Sequence, residues 1–249
     1  MIPFRFLSVL LPAVALICAP VLEAALPVVS PGERIVFSDD FTANANAWTN
    51  IAVINGTGTG ATGKASLTQS DWGPSIADRK SVSSAYVFKT PLNVSAGAGT
   101  VSVYMRVRVD QPDGIETNRF SVTLNESIGA PSCFVRLEIR PADTGSLSFR
   151  NAAGTAEFVK TSVTRGFFKT FEDYRVFKLT LRVTDGLKGA ITTEGFYFDA
   201  KTAKYVSLGA VPPGKILLRN GIFDRLVMDN RNGEGGPAWF DSVVVTQGK

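Results

Sequence analysis

The sequence contains no histidine at all, and only two cysteines and three methionines in 249 residues. Without histidine there is no Ser-His-Asp triad, no Cys-His nucleophile, no imidazole metal site and no histidine general base. Charge is sparse too. Asp, Glu, Lys and Arg make up 19% of the chain, and 26 basic against 22 acidic side chains leave +4. So weak a field argues against a nucleic acid partner. Beyond the N-terminal stretch there is no long apolar run, and the tail Thr246-Gln247-Gly248-Lys249 is polar. No transmembrane segment is therefore expected in the mature chain. No glycine-rich loop follows a strand and opens a helix, which leaves nucleotide chemistry without a site.

The N-terminal stretch itself reads as a signal peptide over residues 1–25. Arg5 supplies a short positive region, Phe6 to Ile17 is almost wholly apolar, and small residues follow at Ala19, Ala24 and Ala25. An apolar run of about 12 residues is too short to span a bilayer as a helix. Its removal takes Arg5 and Glu23 together, so the mature charge stays +4. The expected protein is secreted, extracellular or periplasmic, with a cell-surface association left open. Cys133 is then the one remaining cysteine and has no intramolecular disulfide partner. It shares parity with Val135, Leu137 and Ile139, which marks it as a buried apolar thiol.

What fills residues 26–249 is period-two alternation, with no sustained helical period. Val101, Val103, Met105, Val107 and Val109 alternate with Ser102, Tyr104, Arg106, Arg108 and Asp110. Phe120, Val122 and Leu124 alternate with polar neighbours, as do Phe177, Leu179, Leu181 and Val183, and Asp185-Gly186 closes that run with a turn. Shorter runs lie at Arg34–Phe37, Ser146–Arg150, Gly195–Asp199, Lys215–Arg219, Leu226–Asp229 and Trp239–Thr246. Many short strands with one apolar face predict an all-β, two-sheet antiparallel β-sandwich. No linker divides it: Asn55–Gly63 reads as a long surface loop, and Leu26–Pro31 as an extended leader. The seventeen Phe, mostly at alternating strand positions, belong to the core.

The two ends are distinctive. Val36-Phe37-Ser38-Asp39-Asp40-Phe41 stands near the start with Trp48 close behind, and Trp239-Phe240-Asp241-Ser242-Val243-Val244-Val245 stands at the finish. This pairing resembles the concanavalin A-like lectin/glucanase superfamily, in particular the LamG-like and related jelly-roll domains of secreted bacterial proteins. The resemblance covers roughly residues 33 to 246 and implies a concanavalin-like jelly-roll. It also implies a structural calcium near the termini, held by Asp40 and Asp241 with backbone carbonyls. Calcium takes such all-oxygen shells, whereas zinc wants nitrogen or sulfur. The competing reading is that these aspartates cap strands or sit solvated in turns.

Candidate ligand residues come from the polar parity of the strands. Tyr104, Arg106 and Arg108 share one face of a strand, and Arg136, Glu138 and Arg140 share a face of another. If those strands are neighbours, their faces form a strip of Arg and Tyr. Arginine forks suit carboxylates and sulfates, and aromatic rings stack on sugars. Trp72, in the turn-rich Ser70-Asp71-Trp72-Gly73-Pro74, offers a further stacking platform. The expected function is non-catalytic, lectin-like binding of a polysaccharide, and an acidic glycan is the implied partner. The same strip also serves simply to keep a sheet face soluble. A structural or adhesive cell-surface protein is the alternative. A jelly-roll polysaccharide lyase is the second, because Arg136-Leu137-Glu138-Ile139-Arg140 looks like a strand of alginate lyases. Those enzymes also use a histidine, which this chain lacks, so a tyrosine would have to abstract the proton. Glycoside hydrolysis needs two carboxylates at a set separation, and no Glu-x-Asp-x-Glu strand supplies them.

Overall fold

The computed structural model describes residues 26–40, 52–53, 65–67, 82–109, 119–126, 132–140, 144–163, 174–231 and 238–248. The signal-peptide segment, the 55–63 loop, Trp48 and Trp72 lie outside those residues. Among the described residues fourteen strands run in chain order. They are β1 (Arg34–Asp39), β2 (Ala52–Val53), β3 (Ala65–Leu67), β4 (Val82–Asn93), β5 (Gly99–Val109), β6 (Arg119–Glu126) and β7 (Cys133–Ile139). The second half of the chain gives β8 (Thr144–Arg150), β9 (Ala156–Val163), β10 (Arg175–Val183), β11 (Ile191–Asp199), β12 (Lys204–Val211), β13 (Ile222–Arg231) and β14 (Ala238–Gly248). No helix occurs among the described residues.

The strands form two antiparallel sheets. The first runs β12-β11-β10-β5-β14-β3-β2, with β1 also paired to β14; the second runs β4-β13-β6-β7-β8-β9. The expected alternation holds. Val101, Val103, Met105 and Val107 of β5 and Phe177, Leu179, Leu181 and Val183 of β10 point inward and are buried. They meet Phe120, Val122 and Leu124 of β6, Val135, Leu137 and Ile139 of β7, and Leu226 and Met228 of β13 in one core. Phe120 packs edge-on to Phe177 and Phe240 across the sandwich, at 5.8 and 6.4 Å between ring centres. Cys133 is buried as its parity required. Burial pushes its thiol up, further helped by the neighbouring Glu126 carboxylate.

The two ends of the fold pair as the terminal motifs suggested: β1 lies on β14, with Arg34 opposite Gln247 and Asp39 opposite Val243. The turn after β10 contains Gly186 at φ 51, where a Cβ would stand 2.3 Å from the Ser95 carbonyl oxygen, so only glycine fits.

One expected strand is absent. Lys215–Arg219 is a loop, because its backbone is satisfied by side chains and a turn rather than by a ladder. Asn151 accepts from the Leu217 amide at 2.9 Å and donates to the Lys215 carbonyl at 3.1 Å, while the Ala152 amide donates to the Leu217 carbonyl. The buried carboxylate of Glu126 then takes the amides of Arg219, Asn220 and Ile222, at 2.9, 3.2 and 3.1 Å. A segment with its donors and acceptors already met gains nothing from joining a sheet.

Candidate functional site: one closed face and one open face

Residues that alternate with the core point outward, so each sheet carries a polar outer face. The sequence reading treated β5 and β7 as candidate neighbours. The structure places β5 in the first sheet and β7 in the second. Tyr104 and Arg106 are therefore on one side of the sandwich, and Arg136, Glu138 and Arg140 on the other. Parity fixes which face of its own strand a residue occupies, but not which strand lies beside it. Arg108, near the end of β5, sits opposite Trp239 in the ladder.

The first face is closed. The segment from Leu26 to Gly32 crosses it, tied down by the Ser30 amide donating to the Tyr104 hydroxyl (3.0 Å) and by Tyr205 donating to the Val28 carbonyl (2.8 Å). Glu33 is the hub beneath that strap. It accepts from Tyr104 at 2.8 Å, from Ser102 at 3.1 Å, from Lys178 at 3.0 Å and from Thr246. Lys178 donates also to Ser30 at 2.8 Å and sits against the rings of Tyr104, Phe196 and Tyr205. Burial pushes the Glu33 carboxyl up, but hydrogen bonds from Thr246, Lys178 and Tyr104, with the Lys178 charge, outweigh it and hold the group below its ordinary range. Tyr205 is pushed well up by burial and by the nearby Tyr104 and Glu33. Tyr104 is fully buried here. Expected as a ligand residue, it is instead an anchor for the N-terminal strap.

Further along the same face, Arg106 makes a 2.6 Å ion pair with Asp241 and lies 4.7 Å over the Tyr174 ring. Asp241 is the extra residue of a bulge in β14 between Phe240 and Ser242, which turns its carboxylate to that partner. This bears on the calcium expectation. Asp241 is 1% exposed and its charge is met by a guanidinium, while Asp40 is exposed. Among the described residues no group of three or more Asp, Glu or Cys gathers to hold a metal. The described residues do not fit a calcium at Asp40 and Asp241.

On the second face ladder register sets out rows whose central residues, Ser121, Thr123, Glu138 and Asp229, are buried, while Lys160 and Phe158 at the β9 rim are exposed. One row runs Asp229, Ser121, Glu138, Ser146, Lys160 across β13, β6, β7, β8 and β9. The next runs Val227, Thr123, Arg136, Ser148, Phe158. A third runs Arg225, Asn125, Phe134, Arg150, Ala156. Small hydroxyls line the floor, where Arg136 donates to Thr123 at 2.9 Å and Ser121 to Asp229 at 3.0 Å. Arg136 also lies 3.8 Å from Asp229, and Arg140 pairs with Glu138 at 3.0 Å. At the rim, on β9, the Phe158 ring is 66% exposed. A lyase reading requires a tyrosine hydroxyl beside Arg or Glu in such a face. These rows hold none, and the Tyr104 hydroxyl is spent on Glu33 under the strap.

Of the predicted site residues, Arg136, Glu138 and Arg140 thus stand together on the open face. Thr123, Asn125, Phe134, Arg150, Phe158, Arg225 and Asp229 join them there. Phe134 lies on β7 itself and Phe158 on β9; for the others the polar parity of β6, β8 and β13 was readable, but the adjacency of those strands was not.

Comparison with known proteins agrees with this architecture. No protein-family model matches the sequence, and no curated protein does. Among solved structures, an endo-1,3-β-glucanase from Streptomyces sioyaensis superposes with a TM-score of 0.53 at 13% identity, covering 90% of this chain and 99% of that one. A Lotus tetragonolobus seed lectin (TM-score 0.47, 10% identity, 85% and 97% covered) and a lichenase from a mouse hindgut metagenome (0.48, 11%, 84% and 97%) are also similar. At such identities the likeness speaks for the fold alone, and the glucanase superposition bears out the two-sheet antiparallel jelly-roll.

Proposed function

We propose that this protein binds carbohydrate, without catalysis, on the outer face of the second sheet. The observation that carries the reading is the row from Phe158 through Ser148 to Arg136, in which an exposed ring, a hydroxyl and a guanidinium stand side by side on one sheet face. An exposed aromatic ring gives a sugar a flat apolar platform, while arginine and serine donate to its oxygens. The endo-1,3-β-glucanase that shares the fold gives a precedent for saccharides on this scaffold.

The finer reading is an acidic polysaccharide. Arg136, Arg140, Arg150 and Arg225 outweigh Asp229 and Glu138 on this face, and both acids already have partners. Export completes the reading: residues 1–25 direct the chain out of the cytoplasm, where such polymers are met. A glycan array on the purified protein tests it. Arg136→Ala and Phe158→Ala are expected to abolish or weaken the hits, and a blank array at high protein concentration overturns the proposal.

The second reading is an adhesive surface. It draws on β4, a 12-residue edge strand with Val87 56% exposed. Long, partly apolar edges invite another chain. A blank array together with β4-dependent self-association or protein capture would favour it.

A further inference from the structure

The row Arg225, Asn125, Phe134, Arg150 contains an imbalance that the rest of the open face does not explain. Arg136 and Arg150 both address one ring, their guanidinium carbons 4.9 and 5.4 Å from the centre of Phe134. Two like charges therefore share one side chain. Arg136 is answered by Asp229 and Thr123. Among the described residues no carboxylate pairs with Arg150, and none pairs with Arg225. The Nε atoms of both and Oδ1 of Asn125 are buried without a hydrogen-bond partner. Each such atom costs about 1–3 kcal/mol of unmet desolvation. Three of them in one lateral row, among uncompensated cations, is a concentration a purely solvated surface has no reason to keep.

We infer that this row is an anion seat: it takes the carboxylate or sulfate ester of a sugar unit between Arg150 and Arg225, with a neighbouring sugar hydroxyl donating to Asn125. The inference rests on the reading of this face as a glycan site and deepens it, by assigning the charge-reading step to residues separate from the Phe158–Arg136 row. The stereochemistry follows from what is unmet. Two guanidinium groups call for an acceptor carrying negative charge, which a neutral hexose lacks. The lone amide oxygen calls for a donor, which a carboxylate lacks and a ring hydroxyl has. Reaching the buried Nε atoms takes rotation about arginine side-chain torsions, which have staggered alternatives close in energy. The Phe134 ring, 5.4 Å from the Arg150 guanidinium carbon, gives that fork a stacking support.

Calorimetric titration with four polymers tests the seat. Polygalacturonate is compared with its carboxyl-reduced form, and dextran sulfate with dextran. Wild type is set against Arg150→Gln, Arg225→Gln and Arg150→Lys, and thermal melts confirm that each variant is folded. Wild type is expected to prefer at least one charged polymer over its neutral counterpart. The Gln variants are expected to lose about 10- to 100-fold of affinity for it, the range of one or two charge-assisted bonds. Affinity for the neutral counterpart should stay within about twofold on the same constants. Arg150→Lys, which keeps the charge but not the fork, should fall between. Which charged polymer is preferred tells carboxylate from sulfate. Equal binding of charged and neutral polymers, or a preference untouched by both Gln variants, overturns the seat and leaves the glycan reading standing. No binding to any of the four overturns the seat, and a blank glycan array beside it overturns the glycan reading as well.

Discussion

On the outer face of the first sheet, Lys178 finds Glu33, Arg106 finds Asp241, and Tyr104 finds both Glu33 and the Ser30 amide. On the outer face of the second, Arg150 and Arg225 find no carboxylate among the described residues. Both faces come from the same alternation of β-branched and charged residues, and their strands bury the same core. The difference lies in a segment of a few residues laid across one of them. The strap brings a carboxylate and two backbone groups to a surface that would otherwise present Lys178, Tyr104 and Tyr205 to solvent. Polar residues on a sheet thus do not announce their role; what covers them decides it.

The largest break in this contrast should come from Glu33. Glu33→Ala leaves Lys178 buried with its charge unmet, and a loss of about 3–5 kcal/mol is expected in urea unfolding. Glu33→Leu combined with Lys178→Met should recover most of it, since an apolar pair of similar volume is often as stable as a buried ion pair. Phe158→Ala on the second face, where the ring is 66% exposed, should instead leave unfolding nearly unchanged and act on ligand affinity. If both substitutions destabilise alike, the distinction between closed and open faces fails.

Acid and alkali sharpen the same comparison. The Glu33 carboxyl is held below its ordinary value of 4.5, so its stabilising contribution is present at neutral pH. It is lost as pH falls from about that value through the folded one. Melting points measured down the acid limb should drop more steeply in wild type than in Glu33→Gln. Tyr205 is raised from its ordinary 10.0, and its contribution should fade as pH climbs above that value. Tyr205→Phe should flatten that alkaline limb.

A smaller effect is expected at the rim of the open face. Phe158→Ala should weaken glycan binding by about 3- to 10-fold, the scale of a lost ring contact, without lowering the melting point. Smallest of all is the response to calcium. With Asp241 committed to Arg106, calcium and chelator should give melting points within about one degree of each other, where one kcal/mol would shift a domain of this size by about 2–4 °C. A larger rise with calcium would mean that Asp241 exchanges its guanidinium for the ion.

The sequence made one half of this picture legible. Alternation through β5, β6 and β10 identified the inward residues, and Val36–Phe41 with Trp239–Val245 identified the strands that join the two ends. These are local signals, carried by a period of two and by short motifs. Sheet order is not local. β5 is flanked by β10 and β14, and β7 by β6 and β8, and no residue of β5 records that choice. Arg136, Glu138 and Arg140 could therefore be picked out as a set, while their supposed companions Tyr104 and Arg106 turned out to face the other way. The loop at Lys215–Arg219 misled for a related reason. Its alternation is genuine, with Ile216 and Leu218 buried, but Glu126 and Asn151 had already taken its backbone groups.

The pairing of Arg34 with Gln247 has a consequence for the closed face. β1 is zipped to β14 along its length, so peeling either one opens the ladder they share. Glu33 stands at the head of that zip, next to Arg34, and holds Tyr104 and Lys178 from there. The seam between the first and last strands is thus also the hinge pin of the lid over the first sheet.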